Sequence, residues 1–106
     1  MLEKTRLFEK TKRFAACDRI LDSGIGELIL SDPHIAQVVV DALLQFDGER
    51  YALIAWCVMP NHVHVVIEPF GDHLLSAIVK SWKAFSGAQI NRMIGRSGRL
   101  WAPELF

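Results

Sequence analysis

The chain lacks the features of a secreted or membrane-bound protein. It has only two cysteines, Cys17 and Cys57, and they lack the spacing of a disulfide or zinc framework, which predicts a reducing compartment. The longest apolar run, residues 52–59, is far shorter than the roughly 20 residues needed to cross a bilayer. The first residues are charged, unlike those of a signal peptide. These absences predict a cytoplasmic protein with no membrane partner.

The chain also lacks a net charge, because 12 Lys and Arg residues balance 12 Asp and Glu residues. The total charge therefore indicates no general attraction to nucleic acid. The distribution is uneven, however, and residues 71–106 carry an excess of basic side chains. Basic residues on a helix are most often a solvated face, but these could also contact phosphates. They are Lys80, Lys83, Arg92, Arg96 and Arg99.

The sequence predicts one domain that mixes helices and strands. With 106 residues and 51% hydrophobic residues, the chain can bury a modest core and is not disordered. Hydrophobic spacing and turn residues predict helices over 3–21, 32–46 and 72–94, and strands over 51–58 and 62–68. Short strands are possible over 28–30 and 99–106. The buried face of the last helix is predicted to hold Leu74, Ile78, Trp82, Phe85, Ile90 and Met93.

His62 and His64 are the strongest candidates for a functional site. Residues at i and i+2 of a strand point to the same face, so the two imidazoles could bind one divalent cation. Val63, Val65 and Ile67 would then face the core. The simpler alternative is a pair of ordinary sheet histidines, and two ligands alone do not complete a site, since hard cations prefer several oxygens.

A histidine-triad nucleotide hydrolase is a competing interpretation of the same strand. That family carries three alternating histidines, and here the third position is Val66. The mismatch argues strongly against this alternative.

Several motifs between about Arg19 and Phe106 belong together, and the most specific is the run Met-Pro-Asn-His-Val-His at 59–64. The others are Leu21–Gly24, Asp32-Pro33 followed by Ile35-Ala36, Phe46–Tyr51, Ala55–Pro69, Ser81–Lys83, Ile90-Asn91 and Gly95–Trp101. With these motifs the chain resembles the REP-associated tyrosine transposases, bacterial relatives of the single-strand insertion-sequence transposases.

The resemblance implies metal-dependent nicking and strand transfer on single-stranded DNA, of the HUH endonuclease class. His62 and His64 would hold Mg²⁺ or Mn²⁺, and a tyrosine would attack the DNA and store the phosphodiester energy covalently. The implied substrates are palindromic repeats folded as hairpins with single-stranded flanks. The residues expected to contact this DNA are Asn61, Lys80, Lys83, Arg92, Arg96 and Arg99.

The implied fold is α+β and ferredoxin-like (βαββαβ), with helices on one face of an antiparallel sheet. We expect an N-terminal helical extension at 1–24 and an incomplete transposase-like domain at 25–106. The family's first strand, beside the histidine strand, has no evident counterpart. Residues 28–30 could replace it, a second copy of the chain could pair there, or the strand could be missing; we favour the last two, which makes a homodimer possible.

The family's catalytic tyrosine has no counterpart in these residues. The only tyrosine, Tyr51, matches a different family position and is predicted to be structural. Ala102 stands where the family generally has glutamine, and a third metal ligand is also missing. We therefore expect a form truncated before the tyrosine helix and inactive alone. The alternatives are a non-catalytic regulator that binds hairpin or single-stranded DNA, and a decayed reading frame without function.

Overall fold

The protein combines an antiparallel sheet with two long helices. The computed structural model describes residues 2–5, 15–22 and 28–102. A 3₁₀ turn at Ile29–Ser31 precedes the first helix. The strands are Leu2–Thr5 (β1), Ala15–Asp22 (β2), Tyr51–Val58 (β3) and His62–Pro69 (β4), and the helices are Pro33–Leu44 (α1) and Leu75–Ile94 (α2).

The sheet has the strand order β1-β3-β4-β2, and every neighbouring pair is antiparallel. β3 and β4 form a hairpin in which Trp56 lies opposite Val65 and Val58 lies opposite Val63. Both helices contribute buried side chains to one core with these two strands. The order β2-α1-β3-β4-α2 corresponds to the first five elements of βαββαβ, so the predicted α+β, partly ferredoxin-like fold is confirmed.

The N-terminal helix predicted over residues 3–21 is wrong where the structure describes this segment. Leu2–Thr5 and Ala15–Asp22 are strands, and the second pairs along β4. Only loose helical spacing supported the helix, and pairing with a strand distant in sequence overrides such local preference. The expected unpaired edge on the histidine strand is therefore also wrong, because β2 occupies it. Residues 28–30 are not a strand, and the division at residue 24 stays a prediction.

Helix α1 follows the sequence pattern closely. The Asp32 carboxylate accepts a hydrogen bond from the His34 amide at 2.8 Å, and Pro33 occupies the first turn, where a missing N–H costs little. The apolar stripe packs against the sheet and leaves the opposite face in solvent. Its buried members are Ile35, Ala36, Val39, Val40, Ala42 and Leu43.

The buried face of α2 differs from the predicted one. Ile78, Trp82 and Ile90 are buried as expected, but Leu74, Phe85 and Met93 are 66%, 41% and 48% exposed. Leu74 is the N-cap residue and Met93 lies in the last turn. The buried stripe instead includes the small residues Ser86 and Gly87. They are buried because residues 98–102 fold back over this part of the helix.

Within the ranges that the structure describes, neither α1 nor α2 combines the length and the apolar character that crossing a membrane requires.

Candidate functional site

The two histidines of β4 lie side by side, as the strand periodicity predicted. Burial alternates along the strand, so that Val63, Val65 and Ile67 enter the core with at most 1% exposure. His62 and His64 are half-buried on the other face. Their Nε2 atoms are 3.0 Å apart, and the rings meet edge to face at 81°. A well-packed strand therefore presents two ring nitrogens at one point.

Asn61 orients the first of these rings. Its Oδ1 lies 2.8 Å from Nδ1 of His62. An amide oxygen accepts hydrogen bonds, and in the tautomer that donates to it from Nδ1 the Nε2 lone pair of His62 faces Nε2 of His64. A second hydrogen bond that fixes the tautomer and angle of an imidazole is the usual support of a metal-binding histidine. Asn61 thus has a positioning role in addition to the DNA contact predicted from the sequence.

The spacing of the two Nε2 atoms fits two neighbouring ligands of one cation. Nitrogens at about 2.1 Å from an ion and about 90° apart are separated by roughly 3.0 Å. No third His, Cys, Asp or Glu joins them in a metal-binding group among the described residues. Glu68 is opposite Ala52 in the hairpin, whereas His64 is opposite Cys57, which places the carboxylate towards the other end of the strand. The remaining ligands would have to be water or substrate oxygens.

Tyr51 belongs to the core and not to the histidine site. It is 1% exposed, its hydroxyl donates to the Leu43 carbonyl at 2.5 Å, and it accepts from Nε1 of Trp82 at 2.9 Å. The residue pairs with Pro69, at the opposite end of the hairpin from the histidines. The structural role predicted for Tyr51 is confirmed, and its hydroxyl is not positioned to attack a phosphate at His62 and His64.

Burial gives the Tyr51 hydroxyl a measurable effect on alkaline stability. Burial raises the pKa of Tyr51 above its ordinary value of 10.0. The folded state therefore holds this proton more tightly than the unfolded state, and the free energy of unfolding should fall as the pH rises above about 10. Tyr51→Phe should remove this part of the pH dependence. The substitution should also cost about 1–3 kcal/mol at neutral pH, because it leaves buried polar groups without a partner.

Urea unfolding of both proteins between pH 7 and 11 checks this prediction. An identical alkaline decline in the wild type and the phenylalanine variant would contradict it.

Three of the predicted DNA-binding cations line one groove on α2. The groove, of about 610 Å³, lies between this helix and residues 98–102, and Lys80, Lys83 and Arg99 surround it. Arg92 and Arg96 are not among its lining residues, and Asn61 lies at the histidines. α2 packs against the core face of the sheet, whereas the histidines are on the other face. The three basic residues of the groove and the candidate metal site therefore lie on opposite sides of the sheet.

Ser86 and Gly87 hold Trp101 against α2, and neither role was predicted from the sequence. Ser86 Oγ donates to the Trp82 carbonyl at 2.7 Å and accepts from Nε1 of Trp101 at 3.0 Å. The Trp101 ring packs next to Gly87, where an added Cβ would meet it at 3.7 Å, in ordinary van der Waals contact. The signal was a serine–glycine pair inside a helix, where small residues often mark close packing.

The comparisons with known proteins gave one family match. A family model described as IS200-like transposase matches residues 33–106, which includes both helices, the hairpin and the histidine pair. The searches of curated proteins and of solved structures gave no match. Because the family match covers well over half of the 106 residues, the chain belongs to the IS200-like transposase family.

Proposed function

We propose that this chain binds single-stranded DNA at the flank of a hairpin repeat, in a manner that depends on a divalent cation held by His62 and His64. The observation that carries the proposal is the 3.0 Å separation of the two Nε2 atoms, with Asn61 fixing one ring. Family membership supplies the transposase-like DNA function. The cytoplasm predicted from the cysteines is the compartment we assign to it.

Each residue of the site has a separate role in this proposal. His62 and His64 would hold the cation, Mg²⁺ or Mn²⁺, and Asn61 orients the His62 ring so that its Nε2 lies beside Nε2 of His64. When bound, such a cation supplies Lewis-acid polarisation of a phosphate oxygen and orients the scissile phosphate. Since the described residues bring only these two protein ligands together, DNA phosphate oxygens and water would complete the coordination. This arrangement makes cation binding and DNA binding mutually dependent.

The chemical step of the REP-associated transposases needs a tyrosine other than Tyr51. These 106 residues contain no other tyrosine, and the Tyr51 hydroxyl is buried and bonded to Leu43 and Trp82. We therefore propose that the 106-residue chain engages the DNA but forms no phosphotyrosine link by itself. The alternative of a non-catalytic DNA-binding regulator draws its support from the same observation.

A labelled hairpin with single-stranded flanks tests the proposal. Wild-type protein should bind it more tightly in Mg²⁺ or Mn²⁺ than in EDTA, because the cation bridges the histidines and a phosphate. His62→Ala/His64→Ala should keep the EDTA affinity and lose the increment. Denaturing gels should show no covalent protein–DNA adduct.

Two results would contradict this function. Equal binding by the wild-type protein in Mg²⁺, Mn²⁺ and EDTA would remove the metal-dependent interaction. A covalent adduct that Tyr51→Phe abolishes would overturn the structural assignment of that residue.

A further inference from the structure

The groove on α2 has the charge of an anion-binding surface. Among the residues that the structure describes, its lining contains Lys80, Lys83 and Arg99 and no acidic residue. Lys80 and Arg99 are exposed, and they form no hydrogen bond or ion pair with the described part of the chain. Lys83 donates to the Ala102 carbonyl at 2.7 Å, which holds the wall of the groove in place. Two cations are therefore available to a ligand, and the third helps to shape its site.

The floor of the groove allows close approach of an extended chain. Ala84, Gly87 and Ala88 line it between the basic side chains, so no long side chain fills the space above the helix. The α2 part of the lining runs from Lys80 to Asn91, about 16 Å at 1.5 Å per residue. Residues 98–102 form the second wall of the groove. The side-chain amide of Asn91, on α2, donates to the Gly98 carbonyl at 2.8 Å and so ties this wall to the helix.

The described lining offers charge but no exposed aromatic surface. Within residues 28–102, Trp101 is the one aromatic residue of the groove, and it is 3% exposed because its ring packs on Gly87 and its Nε1 donates to Ser86. A site that reads bases in a single strand commonly stacks them on exposed aromatic rings. This groove can instead recognise the phosphodiester backbone, which carries no sequence information.

We propose that this groove is a second, metal-independent site for the backbone of single-stranded DNA. The proposal rests on the proposed function for its partner, but it uses a surface on the other side of the sheet from the histidines. A groove between one helix and one chain segment suits one strand better than a duplex. Binding there should be insensitive to base sequence and to EDTA, and strongly dependent on salt.

Matched double variants test the groove against the rest of the basic segment. Lys80→Ala/Arg99→Ala removes the two available groove cations, whereas Arg92→Ala/Arg96→Gln removes two cations of the same segment that do not line it. Glutamine at position 96 keeps a side-chain donor for Asn91 Oδ1, which Arg96 contacts at 3.3 Å. Both variants change the net charge equally. Binding of a labelled 20-nucleotide single strand is measured in EDTA over a series of salt concentrations, with circular dichroism as the folding check.

The groove variant should lower the slope of log affinity against log salt by about 1.4, since each phosphate contact in a single strand contributes about 0.7. The control variant should keep the wild-type slope. An equal fall for both variants, an unchanged slope for the groove variant, or equal binding of a duplex would overturn the proposal.

The two proposals fail in different ways. His62→Ala/His64→Ala should leave the EDTA measurement unchanged, because these residues do not line the groove. A wild-type protein that binds the strand in EDTA with the expected slope but gains nothing from Mg²⁺ or Mn²⁺ would retain the groove and refute the metal-dependent function. The opposite result would retain the histidine site and refute the groove.

Discussion

Trp82→Ala should destabilise the protein by about 3–5 kcal/mol, the usual cost of truncating a buried aromatic residue. Trp82 is 2% exposed, and its ring meets Tyr51 edge to face with centroids 5.4 Å apart. The substitution opens a cavity between α2 and the sheet. It also removes the indole N–H of Trp82 that donates a hydrogen bond to the Tyr51 hydroxyl. Domains of this size have about 5–15 kcal/mol of stability in total, so much of it would be lost.

Phe85→Ala is the matched control, because it removes a large aromatic residue from the same helix. Phe85 is 41% exposed, and its loss should cost well under half as much as that of Trp82. Urea unfolding followed by far-ultraviolet circular dichroism measures the free energy of unfolding of both variants without relying on tryptophan fluorescence. If Phe85→Ala were the more damaging substitution, the buried face of α2 described above would be wrong.

His62→Ala and His64→Ala should each weaken Mn²⁺ binding by about 100-fold or more, since the remaining imidazole cannot chelate the ion alone. Asn61→Ala should have a smaller effect, about 10–100-fold, which is typical when a residue that orients a metal ligand is removed. Electron paramagnetic resonance of free Mn²⁺, titrated with protein in the presence of the single-stranded probe, measures these affinities directly.

His73→Ala provides the control for this series. His73 is an exposed histidine outside β4, so its removal changes the histidine content without touching the pair. The expected order of Mn²⁺ affinity is wild type and His73→Ala, then Asn61→Ala, then the two β4 variants. A loss with His73→Ala equal to the losses at β4 would show that Mn²⁺ binds histidines without regard to their place in the fold.

The parts of the fold that local patterns determine were predictable. The alternation of β4 gave the shared face of His62 and His64, and Asp32 followed by Pro33 gave the start of α1. The strand at Ala15–Asp22 was not predictable in this way. It depends on pairing with β4 across 40 or more residues of sequence (from Asp22–His62 to Ala15–Ile67), and its own apolar spacing did not indicate an extended chain.

Of the two candidate sites, the histidine pair was predictable from local sequence and the groove was not. Neighbours in sequence gave the histidine pair, but only tertiary structure brings Arg99 to the groove of Lys80 and leaves Arg92 outside it. The exposure of Phe85 has a similar origin. Helical periodicity identifies the apolar face of α2. Which residues at the edge of that face are buried depends on where residues 98–102 pack, and they cover Gly87 and not Phe85.

The alternation along β4 separates the demands of folding from those of chemistry. Val63, Val65 and Ile67 are almost completely buried in the core, whereas His62 and His64 lie on the other face of the strand and are only partly buried. Substitutions at the two histidine positions should therefore be tolerated by the scaffold even when they abolish cation binding. A lineage could lose or exchange the proposed cation binding in one or two mutational steps while keeping a folded protein on which other DNA contacts can still evolve.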